Sequence, residues 1–96
     1  MSITDADLFE LAGPGAFDRG YEYYREGRVI ELETHADRAV GLVDGTTLYR
    51  VELRHDQPEL DGSCDCPASD HIFFCKHCVA TALALRDDLA ANVLAP

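Results

Sequence analysis

The sequence predicts a small α+β domain that extends over residues 1–96. Apolar residues recur at helical spacing near both ends of the chain, and they alternate at strand spacing between those ends. All four cysteines fall within residues 64–78, where they indicate a metal-binding knuckle rather than a disulfide framework. A chain of 96 residues is long enough for one hydrophobic core and too short for two. We therefore expect an N-terminal helical segment over 1–28, antiparallel strands over 29–63, and a knuckle with a C-terminal helix over 64–92.

Two short helices are predicted in the N-terminal segment. Ser2 or Thr4 can cap a first helix that ends at Leu11, and the glycines and proline of residues 13–15 predict its stop. A second helix is predicted over 17–26, because aromatic residues recur there at i, i+4 and i+7. The glycine directly after this helix is a typical C-terminal stop. The sequence thus places a pair of helices ahead of the strands.

Three antiparallel strands are predicted in the central part of the chain. Their predicted bounds are Val29–Glu33, Arg38–Val43 and Thr47–Arg54. Ile30 and Leu32 should share one face of the first strand, as should Val40 and Leu42 in the second. The apolar face of the third strand consists of Tyr49, Val51 and Leu53. An Asp-Gly pair predicts a hairpin between the second and third strands, and residues 55–63 are predicted to form a loop.

Four residues after that loop follow the spacing Cys-x-Cys-x8-Cys-x-His: Cys64, Cys66, Cys75 and His77. Three thiolates and an imidazole make a closed tetrahedral ligand set that suits zinc. The first pair requires a curled backbone, because side chains two residues apart on a straight strand lie too far apart to share one ion. The second pair can bind only if Cys75 lies just before the last helix and His77 lies in its first turn. The sequence therefore predicts one structural Zn²⁺ per chain, bound by these four residues.

Cys78 offers a rival ligand. Cys75-x-x-Cys78 is a common zinc half-site, so an all-cysteine set with Cys78 in place of His77 is one alternative, and a contribution from His71 is another. However, Cys78 also heads the apolar stripe of the helix predicted over 76–92, where a free cysteine packs as a small hydrophobic residue. That stripe continues through Ala82, Leu85 and Leu89. We therefore favour His77 as the fourth ligand.

This ligand spacing, followed by the helix start Cys75–Ala80, resembles the SWIM-type zinc finger of prokaryotic proteins. The upstream segment Arg19–Val29 and the pair Val51 and Leu53 are similar to the run that precedes the finger in that family. The resemblance implies a ββα-type finger that serves as a DNA-binding or protein-interaction module. In the family such fingers are often attached to helicase-like chromatin-remodelling ATPases, Mutator-type transposases or ubiquitin-ligase components. Cys78 departs from the family pattern, which usually has an aliphatic residue at that position.

The charge of the chain bears on its partners. Eighteen acidic residues against eight basic ones give a formal net charge of −10. Because DNA affinity comes largely from the neutralisation of phosphates by Lys and Arg, this balance disfavours autonomous nucleic-acid binding. A local exception is a set of arginines on or beside the second helix and on one face of the third strand, namely Arg19, Arg25, Arg28, Arg50 and Arg54. We expect a protein partner, with direct nucleic-acid binding through these arginines as the alternative.

The sequence favours a non-catalytic module. Catalytic zinc usually keeps a position open for water, whereas this motif supplies four protein ligands. No phosphate-binding glycine loop and no nucleophile–base pair stands elsewhere in the sequence, so we expect neither an enzyme nor a small-molecule substrate. The N-terminus carries acids instead of a basic secretory region, and no apolar run is long enough to span a bilayer. The expected location is therefore the cytoplasm, with no membrane partner.

Overall fold

Three helices and four strands make up the part of the chain that the computed structural model describes, which is residues 3–56, 59–67 and 74–94. The helices are α1 (Asp5–Ala12), α2 (Pro14–Arg25) and α3 (Lys76–Leu94). The strands are β1 (Val29–Thr34), β2 (Arg38–Asp44), β3 (Leu48–Arg54) and β4 (Asp61–Cys64). The predicted α+β class is confirmed at this coarse level. No described helix is both long and apolar enough to cross a membrane.

The first helix begins at the predicted cap. The Thr4 side chain accepts a hydrogen bond of 3.1 Å from the backbone N–H of Asp7, which satisfies one of the free donors of the first turn. The alternative cap, Ser2, lies outside the described residues. The second helix begins earlier than predicted, at Pro14. Proline suits the first helical position because its φ is already helical and the missing N–H has no partner there in any helix.

The end of α2 has the predicted glycine stop. Gly27 has a φ of 73°, a left-handed conformation that glycine adopts without steric cost. Its N–H donates to the carbonyl of Tyr24 over 3.1 Å, and the N–H of Arg28 donates to the carbonyl of Tyr23 over 3.0 Å. These two bonds form a Schellman motif. The motif ends the helix sharply and turns the chain into β1.

The strands form one antiparallel sheet in the order β1-β2-β3-β4. The prediction of three strands is wrong by one, because Asp61–Cys64 pairs with β3 where a loop was expected. This tetrapeptide, Asp-Gly-Ser-Cys, has the composition of a turn, and its strand conformation depends on pairing with β3. The pairing sets Cys64 opposite Val51 and Gly62 opposite Leu53. The first cysteine of the motif is therefore held at the end of a strand.

The residues that share a face of the sheet differ from prediction in β1. The register slips between Val29 and Glu31, so Ile30 is the extra residue of a bulge and is 52% exposed. The expectation that Ile30 and Leu32 share a face is therefore wrong: Val29 and Leu32 pack against the core. Val40 and Leu42 do share a face of β2, but both are only half-buried, and the fully buried residues of this strand are the alternate ones. The predicted apolar face of β3 is confirmed, since Val51 and Leu53 are buried and Tyr49 packs against the core.

Helix α3 lies between the sheet and the α1–α2 pair and contacts all four strands. Its predicted stripe is confirmed, since Cys78, Ala82 and Leu85 are buried and Leu89 packs at the core edge. In the first two turns the residues between stripe positions, Val79, Ala80, Thr81 and Leu83, are buried as well, because α2 covers the side of the helix that turns away from the sheet. At the crossing of α2 and α3, a Cβ on Gly20 would stand only 2.4 Å from the Cβ of Val79. A glycine is therefore required for this close approach.

Candidate metal centre

The ligand atoms of the four predicted zinc ligands come together in the folded chain. Cys64, Cys66, Cys75 and His77 each offer one atom, and all four atoms lie within 4.8 Å of one another. Cys64 ends β4, Cys66 lies in the turn that follows, Cys75 directly precedes α3, and His77 lies in the first turn of that helix. The last two positions match the sequence-based expectation. A metal ion here would join the edge of the sheet to the beginning of the central helix.

The backbone between the first two cysteines is curled by contacts with β3. Asp65, between them, accepts a 2.9 Å hydrogen bond through its carboxylate from the backbone N–H of Arg50. The N–H of Asp65 in turn donates to the carbonyl of Arg50 over 3.3 Å. This pair of bonds fixes the residue between the cysteines, so that both sulfurs can point to the same side. The curl that the sequence required is thus produced by a side chain of the motif itself.

The second pair is positioned by the start of α3. The carbonyl of Cys75 accepts the N–H of Val79 over 3.1 Å, which makes Cys75 the residue at the helix boundary. Its side chain is therefore free of the helical geometry that would turn it away from His77. The carbonyl of His77 accepts the hydroxyl of Thr81 over 2.8 Å, one turn further into the helix. Cys75 and His77 are both almost completely buried.

The spacing of the donor atoms fits a tetrahedral zinc site. Two thiolates at about 2.3 Å from one zinc ion stand about 3.8 Å apart, and a thiolate and an imidazole nitrogen stand slightly closer. The sulfurs of Cys66 and Cys75 are 3.7 Å apart. The Nδ1 atom of His77 is 3.6 Å from the sulfur of Cys64 and 3.7 Å from that of Cys75. These residues therefore fit one metal ion such as Zn²⁺, with His77 presenting Nδ1.

The imidazole of His77 is enclosed by two tyrosines that sequence reasoning did not assign to the site. Its ring centre lies 4.5 Å from that of Tyr49 on β3 and 5.5 Å from that of Tyr23 on α2. The hydroxyl of Tyr49 is 2.7 Å from the side-chain oxygen of Thr46. The Nε2 atom of His77 is buried and has no hydrogen-bond partner among the described residues. Metal-binding histidines usually donate the N–H of this second nitrogen to an oxygen; here we expect packing against the two tyrosines to orient the ring instead.

Cys78 stands beside the centre without belonging to the four-atom cluster. Its sulfur is 3.8 Å from that of Cys75, and its residue is buried within the apolar core. The geometry therefore brings Cys78 close to one ligand, while the four atoms within 4.8 Å of one another come from the predicted set. The other alternative ligand, His71, lies outside the described residues.

The cysteines differ in acidity because Cys75 is central to the group. Hydrogen bonds from the Cys64 and Cys78 thiols, and then the contact with His77, lower the pKa of Cys75 despite its burial. The same hydrogen bond to Cys75, together with burial, raises the pKa of Cys64. Hydrogen bonding to Cys75 and burial likewise raise the pKa of Cys78. Of Cys64, Cys75 and Cys78, the environment of Cys75 therefore favours the thiolate, the form that binds metal.

Three of the five arginines singled out in the sequence pair with acids in the described part of the chain. Arg28 pairs with Glu26 at 2.7 Å. Arg50 lies 3.7 Å from Glu52, and Arg54 lies 3.8 Å from Asp56. Near the metal centre two cations converge on one group, since Arg28 and Lys76 lie 5.0 and 5.2 Å from the ring centre of Tyr23.

The chain matches no protein-family model, no curated protein and no solved structure. The functional interpretation therefore depends on the residues of the site and on the surfaces around it.

Proposed function

We propose that this chain is a zinc-binding module of the SWIM type, in which Cys64, Cys66, Cys75 and His77 hold one structural Zn²⁺. The observation that supports it most directly is the cluster of four donor atoms within 4.8 Å of one another, three of them on buried residues, at the junction of β4 and α3. Zinc in small fingers stabilises the fold by an apparent 10–16 kcal/mol, roughly. That is comparable with the whole stability of a domain of this size, about 5–15 kcal/mol. Bound zinc would accordingly decide whether the knuckle and the start of α3 are folded.

The proposed role is non-catalytic. Four protein donors complete the usual coordination of zinc and leave no position for a water molecule or a substrate. Three of the four donor residues are buried, with Cys66, Cys75 and His77 only 4%, 2% and 3% exposed. A centre of this kind holds a shape and presents a surface. We place it in the cytoplasm, because a reducing compartment keeps the thiols available for the metal.

We further propose that the surface is presented to a protein, either as an interaction module or as an accessory part of a nucleic-acid-processing system. The acidic net charge of −10 repels phosphate. The pairing of Arg28, Arg50 and Arg54 with carboxylates weakens the arginine set that a nucleic acid would need. Direct nucleic-acid binding remains the second candidate, and the cations around Tyr23 beside the metal centre are the observation that favours it.

Two measurements on the zinc-loaded chain separate these candidates. In the first, duplex DNA is titrated at physiological salt, where we expect no more than non-specific binding, with a Kd of about 10⁻⁴–10⁻⁶ M. In the second, a partner captured from nuclease-treated lysate of the native host is identified and its binding is reconstituted with purified components. We expect that binding to survive the Arg28→Gln/Lys76→Gln double variant. Sub-micromolar, sequence-specific DNA binding that is lost in this variant would reverse the ranking.

A further inference from the structure

The sheet has an uncovered face on the side away from α3. Residues that pair across antiparallel strands point to the same side, and the register pairs Leu42 with both Glu31 and Arg50 and pairs Val40 with Glu33. The alternate residue Gly41 faces α3, since a Cβ added to it would lie 2.6 Å from the Cγ2 atom of Thr81. Val40 and Leu42 therefore point away from α3. We call this surface the outer face, and define it by Glu31, Glu33, Val40, Leu42, Arg50 and Glu52. Among the described elements, the helices are stacked on the opposite side of the sheet.

A groove of about 490 Å³ lies on the outer face, with Val40 and Leu42 in its lining. Both side chains are half-buried, although they lie on β2, a middle strand of the sheet, where covered residues are buried. The volume of the groove is within the range of about 300–1,000 Å³ that is typical of ligand-binding clefts. The groove thus combines an apolar floor with a rim of charged side chains.

The charge of the rim identifies the kind of occupant. Among the described residues that line the groove, the one cation is Arg50, which lies 3.7 Å from Glu52 and is thereby balanced. On the opposite rim stand two carboxylates, of Glu31 and Glu33. Glu33 contacts the imidazole of His35 at 2.8 Å, and Glu31 has no ion pair among the described residues. The rim therefore carries excess negative charge directly beside an apolar floor.

We propose that the outer face binds a basic segment of a partner protein. Lysine and arginine side chains fit both features at once, because their aliphatic stems cover apolar surface while their charged ends reach carboxylates. In this arrangement the stems lie on Val40 and Leu42, and the charged ends meet Glu31 and Glu33. A nucleic acid, which is an anion, would be repelled by the same rim. This inference rests on the proposed protein-interaction function and names the surface and the partner chemistry for it.

The test uses the zinc-loaded chain and a fluorescein-labelled hexapeptide of alternating lysine and valine. Binding at physiological salt is measured by fluorescence anisotropy for Glu31→Gln/Glu33→Gln, and for a control, Asp18→Asn/Glu22→Gln, which removes two exposed acids from α2. We expect the first variant to weaken binding at least about tenfold, which is 1.4 kcal/mol, and the control to change it by less than about twofold. Equal weakening in both variants would show that binding follows net charge alone and would overturn the proposal.

The apolar floor has its own matched pair. Leu42→Asn places an amide in the groove, whereas Leu48→Asn changes a leucine that is 55% exposed and lies outside its lining. We expect only Leu42→Asn to weaken peptide binding, with its thermal unfolding measured in parallel so that a loss of fold is recognised. The amide chemical shifts of the wild-type chain give a second readout that requires no substitution. Changes centred on β1, β2 and β3 support the proposal, and changes centred on α2 and Lys76 overturn it.

Two other occupants are distinguished by the same reagents. If the chain alone forms a dimer in sedimentation experiments and Leu42→Asn makes it monomeric, the outer face is a contact between copies of this chain and the proposal is wrong. If a short duplex DNA displaces the peptide, the surface binds anions and the proposal is equally wrong. A captured partner whose binding is unaffected by Glu31→Gln/Glu33→Gln overturns this inference alone, while the absence of any protein partner counts against the proposed function instead.

Discussion

The close approach of α2 and α3 makes a quantitative prediction at Gly20. An alanine Cβ there would lie 2.4 Å from the Cβ of Val79 and 2.7 Å from the carbonyl oxygen of Lys76. Non-bonded carbon atoms are in optimal contact at about 3.5–4.0 Å, so the helices must separate by roughly 1 Å. Neither neighbouring atom is the flexible end of a side chain, and rotation about a side-chain bond therefore cannot relieve the contact. Lys76 stands between two of the proposed zinc ligands, so the displacement should also reach the metal centre.

Gly15 provides the matched control for the magnitude. It lies in the same helix, and an added Cβ would meet nothing within 4 Å. Both substitutions gain helix propensity, worth at most about 1 kcal/mol, but only Gly20→Ala adds overpacking, which costs about 1–3 kcal/mol. We therefore expect Gly20→Ala to be less stable than Gly15→Ala by about 1–3 kcal/mol. At about 4–8 °C per kcal/mol for a domain of this size, the two melting temperatures should differ by at least about 4 °C.

The assay is thermal unfolding of the zinc-loaded variants, followed by far-ultraviolet circular dichroism, with zinc transfer to a chromophoric chelator as a second readout. Gly20→Ala should melt below Gly15→Ala and release zinc faster, because the first turn of α3 is displaced. Gly15→Ala should melt at or slightly above the wild-type temperature. Equal melting temperatures for the two alanine variants would show that α2 and α3 do not make the described contact, and would refute the packing argument.

Three further predictions concern the metal centre. If the proposed zinc is structural, its chelation should lower the melting temperature and unfold at least residues 60–86; an unchanged melting temperature in metal-free protein would contradict that role. Metal analysis should find full zinc occupancy in Cys78→Ala and loss in His77→Ala, whereas the reverse result would establish the all-cysteine ligand set. Tyr49→Ala should weaken zinc binding by about 10–100-fold, as loss of a ligand-orienting neighbour does, while Tyr49→Phe keeps the ring against His77 and should bind normally. Equal zinc affinity in these two variants would rule out the orienting role of the ring.

The sequence predicted the elements whose signals are local. The cap at Thr4, the glycine after α2 and the apolar face of β3 each depend on a few consecutive residues, and the structure agrees with them. Sequence reasoning missed β4, whose residues have turn composition and become a strand only by pairing with β3. It also misassigned the faces of β1, because a bulge shifts the side-chain alternation without a glycine to mark it. Both errors concern features that are decided by partners distant in the chain.

The metal centre likewise combines residues that a local sequence pattern marks with residues that only the fold brings together. The four candidate ligands fall within one short window, so the spacing of thiolates and imidazole was enough to single them out, and the fold brings their donor atoms together. The groups that orient His77 come from α2 and β3, and nothing in their local sequence marks Tyr23 or Tyr49 as neighbours of a metal. The contribution of Tyr23 depends on how closely α2 approaches α3, which Gly20 controls. The donor set is therefore encoded locally, whereas its rigidity is encoded by the packing of the whole helical pair on the sheet. We expect a chain that kept the four ligands and lost that packing to hold the histidine poorly.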